Sequence, residues 1–294
     1  MSSYLDLTIE GVPPAPSCIN DSKPVTVPFV RAQKGKEKLT MLTAYDYPTA
    51  RLLDESGIDM LLIGDSVATV LYGEDNTLAV TMEDMLRHVK AVSRGTRRAL
   101  VIADMPFMSY QVSIEQALTN AGRLLKEAGA HAIKLEGGEE MADTIRALTR
   151  IGIPVVAHIG LTPQSIRAEG AYRMYGKSPE ERQMLLDAAR AVERAGAFCV
   201  VLECVKAGVA RDITQGLEIP TIGIGSGTSC DGQVLVTQDL VGLTLGKVPK
   251  FVMPVASLKD DVRQAVQTYI ARTKSIPAQA TMEKMEIKPH ASSH

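Results

Sequence analysis

Ala130-His131-Ala132-Ile133-Lys134-Leu135-Glu136-Gly137-Gly138 reads as a short apolar strand that carries a lysine and a glutamate among core residues and leaves through a glycine pair. Side chains two apart in a strand share a face, so Lys134 and Glu136 project together while Ile133 and Leu135 pack on the other side. Burying either charge is costly unless it is paired or meets an ion. The pair is therefore an internal salt bridge or part of a site, and the rest of the chain has to decide which.

Outward from this stretch, one alternation recurs in both directions: a β-branched or leucine-rich run, a turn, then an amphipathic helix. The spacing predicts strands at 38–45, 59–64, 99–103, 132–136, 154–158, 198–203, 221–224 and near 251–252. Helices are predicted at 47–56, 82–94, 113–128, 139–150, 179–195, 206–215, 237–244 and 257–272. Gly57, Gly129, Gly152 and Gly196 stand where a left-handed cap would end a helix just before the next strand. Alternation with such tight returns predicts a parallel sheet covered by helices. Eight rounds predict its closure into a single (β/α)8 TIM-type barrel over residues 35–273, with an open doubly wound sheet as the alternative. Residues 1–34 and 274–294 lack a face to bury and are read as flexible tails.

Composition narrows the function classes. A formal net charge of -2, dispersed basic residues and no tryptophan argue against a nucleic-acid partner. Apolar runs fall well short of the roughly 20 residues that cross a bilayer. Cys18, Cys199, Cys204 and Cys230 show no C-x-x-C spacing and read as reduced thiols. The first arginine is Arg31 and no basic segment precedes an apolar stretch, so the expected location is the cytoplasm.

In a barrel of this kind, chemistry sits at the C-terminal ends of the strands. Those ends carry Asp46, then Asp65-Ser66, Asp104, Lys134 with Glu136, His158 and Glu203, and finally Gly223-x-Gly225-x-Gly227. Asp65, Asp104 and Glu136 come from adjacent strands, and all-oxygen ligation of this type suits Mg²⁺ or Mn²⁺. Other readings stand beside this one: Asp46 and Asp104 as helix N-caps, Asp65-Ser66 as a capped turn. His158 is read first as a hydrogen-bonding group near substrate, with metal ligand, general acid and core histidine as alternatives. The glycine run cradles an anion or forms a tight turn, and it lacks the dinucleotide spacing.

These residues lie in motifs that resemble the ketopantoate hydroxymethyltransferase family: TAYDYP (43–48), IGDS (63–66), TLAVTMEDM (77–85), ADMPFMSY (103–110), IKLEGG (133–138), AHIGLTPQS (157–165), VLECV (201–205), IPTIGIGSG (219–227) and DGQVLV (231–236). The resemblance covers about residues 36–272. It implies a Mg²⁺-dependent barrel, one ion per subunit, assembled as a homo-oligomer, commonly a decamer. It further implies transfer of a hydroxymethyl unit from 5,10-methylenetetrahydrofolate to 3-methyl-2-oxobutanoate through a Mg-stabilised enolate, giving 2-dehydropantoate for pantothenate synthesis. By the same resemblance Asp65, Asp104 and Glu136 hold the metal, Asp65, Ser66, Asp104 and Lys134 contact the keto acid, and Glu203 accepts the proton. Ala68, Ala79, Ala171, Arg173 and Tyr175 depart from the family pattern, all outside those positions.

Three rival readings remain: a Schiff-base aldolase with Lys134 as nucleophile, a member of the isocitrate lyase and phosphoenolpyruvate mutase group, and a barrel that binds keto acid without turnover. The lyase loop KKCGH is absent from the sequence, and the complete set of carboxylates argues against a mere binder.

Overall fold

The computed structural model describes residues 23–276. Eight parallel strands close on themselves: β1 (Leu39–Thr43), β2 (Met60–Ile63), β3 (Leu100–Asp104), β4 (Ala132–Glu136), β5 (Val155–Gly160), β6 (Cys199–Glu203), β7 (Thr221–Ile224) and β8 (Gly232–Leu235), with β8 paired back onto β1. Around them run α1 (Val27–Ala32), α2 (Tyr47–Glu55), α3 (Met82–Gly95), α4 (Ile114–Lys126), α5 (Ala142–Arg150), α6 (Ile166–Glu169), α7 (Pro179–Arg194), α8 (Ala207–Gly216), α9 (Thr237–Leu240) and α10 (Leu258–Lys274). The closed barrel predicted from the strand–helix alternation is the observed fold, and the open sheet is excluded. None of the described helices is long and apolar enough to cross a membrane.

The period-2 reading of the central stretch sorts the two cores. Ile133 and Leu135 belong to the layer between strands and helices, with Leu61, Ile63, Val101, Ala103, Val155 and Ala157. Ala132 faces the barrel interior with Met60, Leu62, Leu100, Ile102, Val156 and Val201, so Lys134 and Glu136 continue that inner face upward. Each fully buried aliphatic side chain contributes about 1.5–3 kcal/mol. These layers are the rigid frame on which the charged rim stands.

The eighth strand is not near 251–252. It is β8, reached from β7 across residues 225–231 without a helix, although parallel connections usually take about a dozen residues or more. Gly225 (φ 62°) and Gly227 (φ 79°) supply left-handed turns that side chains resist. Between them Ser226 Oγ donates to the Leu202 carbonyl (2.7 Å) and accepts from the Val205 N–H (2.9 Å). The glycine run is thus a tight turn. β8 was missed because Gly232-Gln233 has little strand character on its own; Gly232 is required because a Cβ would stand 2.5 Å from the Leu39 carbonyl oxygen. The helix expected at 237–244 follows β8 as the four-residue α9, and α10 has no buried residue.

The N-terminal boundary also moves. Within the segment read as a tail, α1 starts at a Thr26 cap, and Val25 and Val30 are buried in the core inside the barrel. Lys34 Nζ donates to Asp231 (2.9 Å) and to the Thr214 carbonyl (2.6 Å), while Asp231 also accepts from the backbone of Gly35 and Thr221. Residues 23–34 therefore belong to the fold. Residues 1–22 and 277–294, with Cys18, lie outside the described residues.

Candidate active site

At the C-terminal end of the barrel, a cavity of about 110 Å³ is lined by Asp65, Ser66, Asp104, Lys134, Glu136, His158 and Glu203 together with apolar Leu62, Val201, Ile224 and Val234. Asp65, Ser66, Asp104, Lys134, Glu136, His158 and Glu203, all singled out in the sequence, reach it. Asp46 does not: its carboxylate accepts from the Thr49 N–H (2.8 Å) and caps α2, the structural alternative weighed for it. The volume lies well below the roughly 300–1,000 Å³ of drug-sized pockets, which suits a small substrate.

Strand register assembles the rim. Asp104 pairs with Lys134 across β3–β4, and Glu136 pairs with His158 across β4–β5. Lys134 Nζ lies 2.6 Å from Asp104 Oδ1, with both side chains buried. Burial works against the ammonium, yet the charges of Asp104, Glu136 and Asp65 outweigh it and hold Lys134 protonated beyond its ordinary range. Asp104 is not a helix cap; its Oδ2 accepts from the Asp65 N–H (3.1 Å). Directly before Asp65, a Cβ at Gly64 would meet Ser66 Oγ at 2.5 Å and displace that hydroxyl from its present position.

Four carboxylates thus face one buried ammonium. Burial first, then the neighbouring Asp104 charge, pushes the Asp65 carboxyl well above its ordinary value, against the pull of Lys134. Glu136 is raised by burial and by Asp65. His158 is pushed down by burial and by Lys134, and so sits neutral between two carboxylates, with Nε2 3.3 Å from Glu203 Oε2 and Nδ1 3.7 Å from Glu136 Oε1. Neither ring nitrogen is aligned for a hydrogen bond, and Glu136 Oε1 is buried without a donor. Cys204, next to Glu203, holds a left-handed backbone (φ 50°) that a side chain resists, a sign of local strain at this strand exit.

The donor set fits a hard cation: all oxygen, in excess of the positive charge, and with a buried unpartnered carboxylate oxygen. No three His, Cys, Asp or Glu side chains among the described residues form a ready cage. That is compatible with Mg²⁺, which keeps several waters and takes one or two carboxylates plus substrate oxygens.

One set of residues was missed in the sequence. Gln164 is buried beside the carboxylates, and Tyr110 donates to it. Both lie inside quoted motifs, but neutral side chains raise no electrostatic flag. On the other side of the rim the departing residues Arg173 and Tyr175 stack, with the guanidinium carbon 3.9 Å from the ring centroid. Tyr175 also binds the backbone of Cys204 and Lys206, which ties this loop to the exit from Glu203.

A sequence profile described as ketopantoate hydroxymethyltransferase matches residues 24–278. The chain belongs to the ketopantoate hydroxymethyltransferase family. Within that family it is 54% identical over 252 residues to the 3-methyl-2-oxobutanoate hydroxymethyltransferase of Syntrophus aciditrophicus (strain SB), covering 85% of this chain and 93% of that protein. It is 55% identical over 253 residues to the enzyme of the same name from Geotalea daltonii, covering 86% of this chain and 95% of that one. Among solved structures it is similar to 2,3-dimethylmalate lyase, at 19% identity and a TM-score of 0.56 over 92% of this chain and 93% of that one, a likeness of fold alone.

Proposed function

We propose that the chain transfers a hydroxymethyl unit from 5,10-methylenetetrahydrofolate to C3 of 3-methyl-2-oxobutanoate, giving 2-dehydropantoate for pantothenate synthesis. The observation that carries this reading is the placement of Glu203 at the partly open edge of the cavity, its side chain 18% exposed, while Asp65, Asp104, Lys134 and Glu136 are buried behind it. This supports a reading in which the buried charged groups bind a 2-keto acid and the more open Glu203 is the base.

Lys134, kept protonated by its carboxylate neighbours, donates to the substrate carboxylate or keto oxygen, and Ser66 adds a hydroxyl at the same end. Leu62, Val201, Ile224 and Val234 offer an apolar wall to the branched end of the substrate. Glu203 removes the C3 proton, and neutral His158, 3.3 Å away, packs beside the carboxylate without competing for that proton. Asp65, Asp104 and Glu136 would hold Mg²⁺, which when bound supplies positive charge for the developing enolate oxygen. C3 then forms a bond to the one-carbon unit, tetrahydrofolate leaves, and water provides the hydroxyl oxygen.

A Schiff-base reaction is less well supported. A nucleophilic lysine needs a depressed pKa, and Lys134 is shifted the other way.

The family resemblance extends the proposal to a homo-oligomer, commonly a decamer, acting in the cytoplasm. Support comes from α10, where Leu258, Val262, Val266 and Ile270 form an exposed apolar stripe at four-residue spacing. The direct test is a turnover assay with the keto acid, Mg²⁺ and methylenetetrahydrofolate, in which 2-dehydropantoate and tetrahydrofolate must form in equal amounts. Formation of neither would remove the assignment.

A further inference from the structure

Gln164 is a buried, neutral side chain whose hydrogen-bonding capacity is fully used. Its Nε2 donates to Asp65 Oδ2 (2.9 Å) and to the Met105 carbonyl (3.0 Å). Its Oε1 accepts from the Tyr110 hydroxyl (2.7 Å) and from Gln111 Nε2 (3.1 Å). Its backbone N–H donates to Glu136 Oε2 (3.0 Å), and the Tyr110 hydroxyl in turn accepts from the Glu136 N–H (3.1 Å). The amide has one possible orientation. Flipping it would turn an oxygen toward the Asp65 carboxylate and the Met105 carbonyl, and an NH₂ toward the side-chain N–H of Gln111.

These contacts are selective between the two oxygens of each carboxylate. The hydrogen bond to Asp65 falls on Oδ2 and the one to Glu136 falls on Oε2, while Glu136 Oε1 is left buried without a donor. Asp104 differs, since its Oδ2 accepts from the Asp65 N–H and its Oδ1 faces the Lys134 ammonium. A carboxylate with one oxygen already bonded offers a cation its other oxygen, and two-oxygen ligation would require giving up a buried hydrogen bond. Mg²⁺ accepts single oxygens in an octahedron. Ca²⁺ takes six to eight oxygens and often draws both from one carboxylate.

Resting on the cation reading above, we propose that Gln164 is a positioning residue that reserves one oxygen of Asp65 and one of Glu136, so that the site favours Mg²⁺ and disfavours Ca²⁺. The side chain acts on Asp65 and the backbone N–H on Glu136. Replacing the side chain therefore isolates the first contact while leaving the second.

Calorimetric titration of the full-length, chelator-stripped protein with Mg²⁺ and separately with Ca²⁺ tests this without relying on turnover. In Gln164→Leu, Mg²⁺ affinity should fall by about 10–100-fold, the usual effect of losing a group that orients a metal ligand. Ca²⁺ affinity should fall much less, so the Mg²⁺:Ca²⁺ preference drops. Tyr110→Phe, which keeps Gln164 but removes the hydroxyl that holds its amide, should lower the same ratio by a smaller factor. It decides the matter should Gln164→Leu fail to fold. Equal losses for both ions, or an unchanged ratio, would make Gln164 a packing residue and overturn the proposal. Wild type that takes up no Mg²⁺ would overturn the cation reading itself, a result distinct from wild-type binding with variants that discriminate as before.

Discussion

His158 Nε2 stands 3.3 Å from Glu203 Oε2, and the imidazole is buried while the glutamate is partly open. A neutral ring in that position bounds the carboxylate by contact, not by an aligned hydrogen bond, and does not claim its proton-accepting role, since burial and Lys134 both disfavour the imidazolium. His158→Ala should therefore slow turnover by about 10–100-fold, the scale of losing an orienting neighbour, with little change in substrate affinity. Steady-state kinetics check this; a loss confined to KM would place His158 on the substrate instead.

The raised carboxyls give a signed pH effect. Asp65, brought to about 7 in the fold, holds a proton that the unfolded chain releases at its ordinary value. Its contribution to stability is full below that ordinary value and is lost as pH rises through about 7. His158 works in the opposite sense, because its folded value is lowered and stability is lost as pH falls through that value. The comparison is therefore differential: in chelator, Asp65→Asn should lose less Tm than wild type between about pH 4.5 and 7.5. Identical slopes by calorimetry would show that Asp65 is not proton-loaded in the fold.

Deletion of residues 1–34 should lower the urea midpoint. Val25 and Val30, each worth about 1.5–3 kcal/mol when buried, leave the barrel interior, and Asp231 loses the Lys34 ammonium. A deletion variant as stable as the full chain would mean that these contacts contribute nothing.

The exposed stripe on α10 is expected to be covered in an assembly of copies. Sedimentation should give a particle several times the 31.6 kDa chain mass, and Val262→Glu with Val266→Glu should shift it to smaller species with unchanged helix content. A monomeric wild type would leave the stripe unexplained.

Legibility in the sequence followed physical cause. Seven of the eight strands were found from apolar runs, four of them just after a glycine that ends the preceding helix, and the charged rim was found because Lys134 and Glu136 interrupt an interior face. β8 escaped because its pairing depends on a glycine turn and on β1, neither of which leaves a local pattern. α1 escaped because its burial rests on only two valines in a proline-containing segment. Gln164 and Tyr110 escaped for a different reason: their part is directional hydrogen bonding, which only coordinates reveal.

Glu203 and the rim are expected to make an enolate at C3 of the keto acid before any folate chemistry. Proton NMR of 3-methyl-2-oxobutanoate in D₂O with the protein and Mg²⁺, and no folate, measures this directly. Wild type should exchange the C3 proton faster than buffer, chelation should stop it, and Glu203→Gln should slow it by about 10²–10⁴-fold, the range for a lost general base. Exchange that persists unchanged in Glu203→Gln would rule out Glu203 as the base, and exchange that survives chelation would rule out the metal-stabilised enolate.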